Sequence, residues 1–188
     1  MAACHLAANS GNSKTLQNAW QFAKEKLTTE ELNKFLLGTD KCGRISWHLA
    51  GKRVKIEILR KVRHCAKAIR TTGELNKLLL STDNKGNTAC HWAANSVYSK
   101  TLQILWQCAK GNLTKEELSK SFLVTDNQGM TAWNFASSSC HSETLKNVWH
   151  NATETLTTEE LYKLLLRTDK YGMTAWHLAG LRGKIKIF

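Results

Sequence analysis

The chain has 188 residues, 42% of them apolar, with 27 Lys and Arg against 15 Asp and Glu for a formal net charge of +12. That length can bury a sizeable core, and the absence of Pro with only 11 Gly favours long helical stretches over hairpins, so the expected class is all-α. No apolar run approaches the roughly 18 residues of a membrane span, and the start lacks the charged-then-apolar order of a secretory signal, which points to a soluble, cytoplasmic protein.

In chain order, the first thing to recur is Thr-Asp, at Thr39-Asp40, Thr82-Asp83, Thr125-Asp126 and Thr168-Asp169, spaced by 43 residues each time. A fixed period of this size marks a solenoid, in which no copy buries its apolar face alone. The single domain 1–188 divides into a partial copy (1–39), three full copies (40–82, 83–125, 126–168) and a partial fifth (169–188). Met1 falls on the column of Met130 and Met173, and Phe188 on that of Leu16, Leu59, Leu102 and Leu145. The expectation is a monomer or a fragment of a longer array, without capping copies and with frayed ends.

Each copy opens on a turn with Asp first and Gly fourth (Asp40–Gly43, Asp83–Gly86, Asp126–Gly129, Asp169–Gly172), the type I pattern. A short helix follows, with Thr88, Thr131 and Thr174 as N-caps and one constant residue, Ala7, Ala50, Ala93, Ala136 and Ala179, small enough for a neighbouring helix to approach. The second helix shows one apolar face in Leu16, Ala19, Trp20 and Ala23, repeated as Leu102, Leu105, Trp106, Ala109 and as Leu145, Val148, Trp149, Ala152. A third helix starts at a Thr-x-x-Glu capping box, Thr28 with Glu31, Thr71 with Glu74, Thr114 with Glu117 and Thr157 with Glu160; Leu27 and Leu32 add a hydrophobic staple.

The string from Asp83 to Ala94, with Asp169 to Ala179 beside it, resembles the ankyrin repeat and its Asp-x-x-Gly-x-Thr-Pro-Leu-His-x-Ala-Ala opening; Gly11 stands at the family's inter-helix glycine. The family's Pro is replaced throughout by Ala or Ser, and the period exceeds the family's by the length of the Leu-Thr-x-Glu-Glu-Leu helix. The resemblance implies an elongated ankyrin-like α-solenoid of about three helices per repeat, with the turn hairpin shortened or lost. A three-helix armadillo-like stack is the alternative geometry.

His5, His48, His91 and His177 share one column, which Asn134 fills in the fourth copy. The resemblance implies that this His bonds backbone and the nearby Thr to tie adjacent repeats, a role that Asn can mimic while being a poor zinc ligand. Neither a metal nor any cofactor is expected. The tryptophans also fall in columns, Trp20, Trp106 and Trp149 on the second helix and Trp47, Trp133 and Trp176 on the first, at core spacing rather than as base-stacking platforms; Trp92 stands alone in a Leu or Phe column, and Arg63 interrupts the Trp column of the second copy. Cys4 and Cys90 share the column of Trp47, and Cys65 and Cys108 that of Phe22, so the thiols read as small buried apolar groups too far apart between copies to form disulfides.

Nucleophile, base and orienter cannot be assembled from residues that all occupy repeating columns, so no enzyme is expected. The expected function is protein–protein interaction, a scaffold touching its partner through the turn tips and the concave face of the first helices. The family's contact positions fall on Lys41, Cys42, Arg44, Lys52 and Arg53, then Asn84, Lys85, Asn87, Asn95 and Ser96, then Asn127, Gln128, Met130, Ser138 and Ser139, which vary between copies while core columns do not. The alternative is an acidic protein or nucleic acid bound by copy 40–82, whose eleven Lys and Arg against three Asp and Glu include Lys52, Arg53, Lys55, Arg60, Lys61, Arg63, Lys67 and Arg70.

Overall fold

A computed structural model describes His5, Glu57, Arg60, Asn76, Lys77 and residues 12–53, 79–96, 99–139 and 141–181. Among these the chain is all helical apart from one isolated bridge between Thr168 and Thr174. The helices are α1 (Ser13–Lys26), α2 (Thr29–Leu37), α3 (Ser46–Arg53), α4 (Ala89–Ala94), α5 (Ser99–Lys110), α6 (Lys115–Leu123), α7 (Ala132–Ser138), α8 (Ser142–Thr155), α9 (Thr158–Leu166) and α10 (Ala175–Leu181). Copies 83–125 and 126–168 each hold a short first helix, a long second helix and a third. The capping box at Thr71 and the cationic residues Lys55, Lys61, Arg63, Lys67 and Arg70 lie outside the described residues, as do Cys4, Cys65 and Cys140.

Local chemistry sets the helix starts. Thr28, Thr114 and Thr157 accept from the amides of Glu31, Glu117 and Glu160, and each Glu carboxylate takes the Thr amide at 2.8 Å in return. Two orphan amides are thereby satisfied at the start of every described third helix. On α1 the Asn12 Oδ1 accepts from the Thr15 amide at 3.0 Å, and no acid follows it in the first turn.

Like helices pack on like across copies: α3 on α4, α4 on α7 and α7 on α10 for the first helices, α5 on α8 for the second, α6 on α9 for the third. The constant Ala50, Ala93, Ala136 and Ala179 are buried where first helices meet. Leu16, Leu102 and Leu145 fill one layer, and Trp106 lies against Phe122 of its own third helix with ring centroids 4.1 Å apart. A Leu or Phe buried this way contributes about 1.5–3 kcal/mol, part of it realised only when the neighbouring copy is in place.

Trp20, Trp47, Trp106 and Trp133 are core residues as the periodicity predicts. Trp149 and Trp176 depart from that expectation and are exposed. Their counterparts are shielded by second helices, Trp133 by Trp149 of α8 at 5.7 Å and Trp106 by Val148 and Asn151 of α8, and no described second helix follows α8.

The turns are tightly held. In each the Asp amide donates to the carbonyl four residues on and the Gly amide returns to the Asp carbonyl, at 2.9–3.0 Å. Gly86 and Gly172 both have φ near +75° to +80°, the left-handed region, but a Cβ on Gly86 would stand 2.8–3.0 Å from Asn127 and Asp126 of the next turn, whereas one on Gly172 would meet nothing within 4 Å. Gly172→Ala is expected to cost about 1–2 kcal/mol of backbone strain in equilibrium denaturation, and Gly86→Ala about 1 kcal/mol more for the clash with the adjoining copy. Equal losses would place the two turns in equivalent surroundings.

Candidate interaction surface

Three sets of hydrogen bonds cross the junctions that follow copies 40–82 and 83–125, and they decide which polar groups remain for a partner. At the turn edge the Asn84, Asn127 and Lys170 amides donate to the Cys42, Lys85 and Gln128 carbonyls of the preceding turn at 2.8–2.9 Å. The Asn84 and Asn127 side chains follow, donating to the Lys41 and Asn84 carbonyls. These rungs fix the spacing of the turn tips.

The histidine column forms the second set. The His91 Nδ1 takes the Thr88 amide at 3.1 Å and lies 2.8 Å from the Thr88 hydroxyl, which leaves Nε2–H to donate to the Met130 carbonyl of the next copy at 3.1 Å. His48 repeats this, with Nδ1 accepting from the Ile45 amide and Nε2 shared between the Ser81 and Asn87 carbonyls. In the fourth copy the Asn134 Oδ1 takes over the acceptor half, receiving the Thr131 amide and hydroxyl. Burial pushes His48 and His91 below the ordinary histidine value, with nearby carboxylates and carbonyls opposing it. Among the described residues no three His, Cys, Asp or Glu side chains converge.

The third set was not legible as such in the sequence. The capping glutamates serve twice: Glu117 receives Asn76 Nδ2 at 3.1 Å and Glu160 receives the Ser119 hydroxyl, each donor standing on the preceding copy's third helix. The Ser119 bond and then the Thr157 amide hold Glu160 below the usual carboxylate range. The only trace in the sequence is a polar residue on the apolar stripe of the third helix, 41 positions ahead of a capping Glu.

Against this network the positions named from the sequence separate into two groups. Lys41, Cys42, Lys52, Asn84, Lys85, Asn95, Asn127 and Gln128 are exposed on the turn tips and first-helix ends. Asn87, Ser96 and Ser139 are buried instead, Asn87 donating to Asp83 and the two hydroxyls to the Ala93 and Ala136 carbonyls. Arg44 is clamped on Asp40 by two bonds of 2.7 and 2.9 Å, Ser138 donates to the Phe135 carbonyl, and Met130 is half-buried. Arg53 ends α3, its side chain outside the described atoms. Variation between copies therefore marks two different things, outward-facing tips and turn-closing positions.

The tips share a sign. Every turn Asp is folded inward, where Oδ1 takes the amides two and four residues on, as at Asp83 with Lys85 and Asn87. Among the described side chains the exposed charges left on this edge are Lys41, Lys52, Lys85 and Lys170, Lys52 lying 4.6 Å over the Trp92 ring and Lys170 4.8 Å over Tyr171. Exposed acids lie on the other helices, where Glu30, Glu116 and Glu159 pair with Lys34, Lys120 and Lys163 one turn on. Among the thiols, Cys42 is exposed, Cys108 is buried, and burial pushes Cys90 up to about 12, well outside nucleophilic use.

No protein-family model and no curated protein matches this chain. Among the described residues no helix is long and apolar enough to cross a membrane.

The depressed histidines carry a signed prediction. The unfolded chain takes up protons near pH 6.5 while folded His48 and His91 resist them, because a proton on Nδ1 would face the Ile45 or Thr88 amide. Stability is thus complete above about pH 6.5 and falls as the pH drops below it. The double variant His48→Asn, His91→Asn should flatten this slope in denaturation curves between pH 7 and 5; an unchanged slope would locate the acid sensitivity elsewhere.

Proposed function

We propose that this chain is an ankyrin-like interaction module that binds a protein partner through its turn tips and the adjoining ends of the first helices, acting in the cytoplasm as a scaffold without catalysis or cofactor. The observation that carries the reading is the division of labour along the turn edge. Backbone rungs and inward-facing aspartates hold the tips at fixed spacing, and the side chains left over (Lys41, Cys42, Lys85, Asn95, Gln128) differ from copy to copy. A rigid support with changeable exposed positions is what recognition of an extended protein surface requires. The ankyrin-like reading is supported by the Asp-to-Gly turn, the Thr–His pair and the strap from His to the next copy's loop. The free cysteines suit a reducing compartment.

The sign of the tips favours a second reading, in which the partner is polyanionic, an acidic protein segment or a nucleic acid, drawn to Lys41, Lys52, Lys85 and Lys170 as well as to the cationic stretch of copy 40–82. The two readings separate in a capture experiment with the intact chain. Replacing Asn95 and Gln128 by Arg, at constant fold by circular dichroism, is expected to weaken capture of a specific protein at least tenfold with little dependence on salt. Binding that survives this change but disappears with Lys41, Lys85 and Lys170 neutralised, and falls steeply between 50 and 200 mM salt, would move the assignment to the polyanion.

A further inference from the structure

Trp92 is the one tryptophan outside the two Trp columns, at a position that holds Leu49, Phe135 and Leu178 in the neighbouring copies. Its indole is fixed from two sides. Nε1 donates to the Asp83 Oδ2 of its own turn at 3.1 Å, while the Lys52 Nζ of the preceding copy stands 4.6 Å over the ring. The other oxygen of Asp83 takes the Lys85 amide at 2.9 Å, so a single buried carboxylate fastens together the indole and the base of the Lys85 tip. The half-buried ring thus lies between an exposed lysine of one copy and the turn that carries an exposed lysine of the next.

Composition singles this step out. One copy on, the places of Lys52, Lys85 and Trp92 are taken by Asn95, Gln128 and Phe135, and one copy back those of Lys85 and Trp92 are Cys42 and Leu49, so two cations meet an indole here alone. Unlike Lys34, Lys120 and Lys163, which pair with acids of their own helices, Lys52 and Lys85 have no ion pair among the described residues. Asp83 does not offset them outwardly, since it is turned inward onto donors from Lys85, Asn87 and Trp92. We propose that this step is the reading point of the interaction edge, where an acidic side chain of a partner protein is held between Lys52 and Lys85 with an adjoining apolar side chain against Trp92. The proposal rests on the interaction-module reading and gives the partner its chemistry, a segment with Asp or Glu next to an apolar residue. A polynucleotide fits less well. The cations form no track, because Asn127 and Gln128 hold the next tip along, and a half-buried indole with its N–H engaged and Lys52 over its face is a poor platform for a base.

The test follows the indole N–H signal of Trp92 by nitrogen–proton NMR of the intact chain, assigned by its loss in Trp92→Phe. N-acetyl-Glu-Phe-amide is expected to shift this signal saturably, and its neutral counterpart N-acetyl-Gln-Phe-amide to bind at least tenfold more weakly. The double variant Lys52→Asn, Lys85→Gln, which installs the residues of the following copy and keeps the fold by circular dichroism, should lose at least tenfold in affinity for the acidic probe. Between 50 and 200 mM salt that affinity should fall no more than about tenfold, as two charge contacts require. A Trp92 signal that does not move, or that responds equally to the neutral probe or in the double variant, overturns the proposal. So does an oligothymidylate that displaces the probe and loses about a thousandfold in affinity over the same salt range, which would assign the site to nucleic acid. Failure of the module reading looks different. A protein captured by the chain, lost with Asn95→Arg and Gln128→Arg but fully held by the lysine double variant, keeps the module and overturns this reading point, whereas probe binding by a chain that captures no protein overturns the protein partner and leaves a site for a small acidic ligand.

Discussion

Everything in this molecule rests on the junction between consecutive 43-residue copies. Within a copy Trp106 packs on Phe122 and Trp133 on Trp149, and the following copy completes the wall, as Val148 and Asn151 of α8 do beside Trp106. The apolar term and the polar terms are coupled there. Trp47 is fully buried beside a junction where His48, the Asn84 amide and Glu117 each bond to a neighbouring copy. Unpaired, these buried groups would each cost about 1–3 kcal/mol, which is why the junction is closed on three edges rather than one.

The same closure shapes the outer surface. Each turn aspartate is consumed in holding its own loop, which leaves lysines as the exposed charges described at the tips, while the capping glutamates sit at the starts of the third helices. The outermost described copies show the complementary effect. Columns that are core in Trp106 and Trp133 become exposed aromatics in Trp149 and Trp176, beyond which no second helix is described, so surface character depends on position in the array as much as on residue type.

Much of this was legible from periodicity. The three-helix unit, the capping boxes at Thr28, Thr114 and Thr157 and the buried Trp20, Trp47, Trp106 and Trp133 follow from columns that repeat because copies face like neighbours, while the tie from His to the neighbouring copy was implied by the ankyrin resemblance. Column logic failed where that premise fails. Trp149, Trp176 and Phe22 are exposed where their counterparts in other copies are buried. It also failed where variation was taken as a sign of exposure: Asn87 varies with Arg44 and Met130, yet this position closes the turn through its backbone and the Asn side chain folds back on Asp83. The double use of Glu117 and Glu160 was hidden because a capping box already accounts for the residue, and only geometry reveals its second oxygen at work.

The junction as the seat of stability is tested most directly by amide hydrogen exchange at the turn tips. Asn84, Asn127 and Lys170 lie on exposed, non-helical loops, and their amides are sheltered only by the bond to the preceding turn. If junctions hold the fold, these three amides exchange orders of magnitude more slowly than the Lys41 amide, which stands at the same turn position with no described turn before it, and about as slowly as the amides of α7 and α8. Exchange at Asn84, Asn127 and Lys170 as fast as at Lys41, with the helices still protected, would show copies that fold by themselves and merely touch.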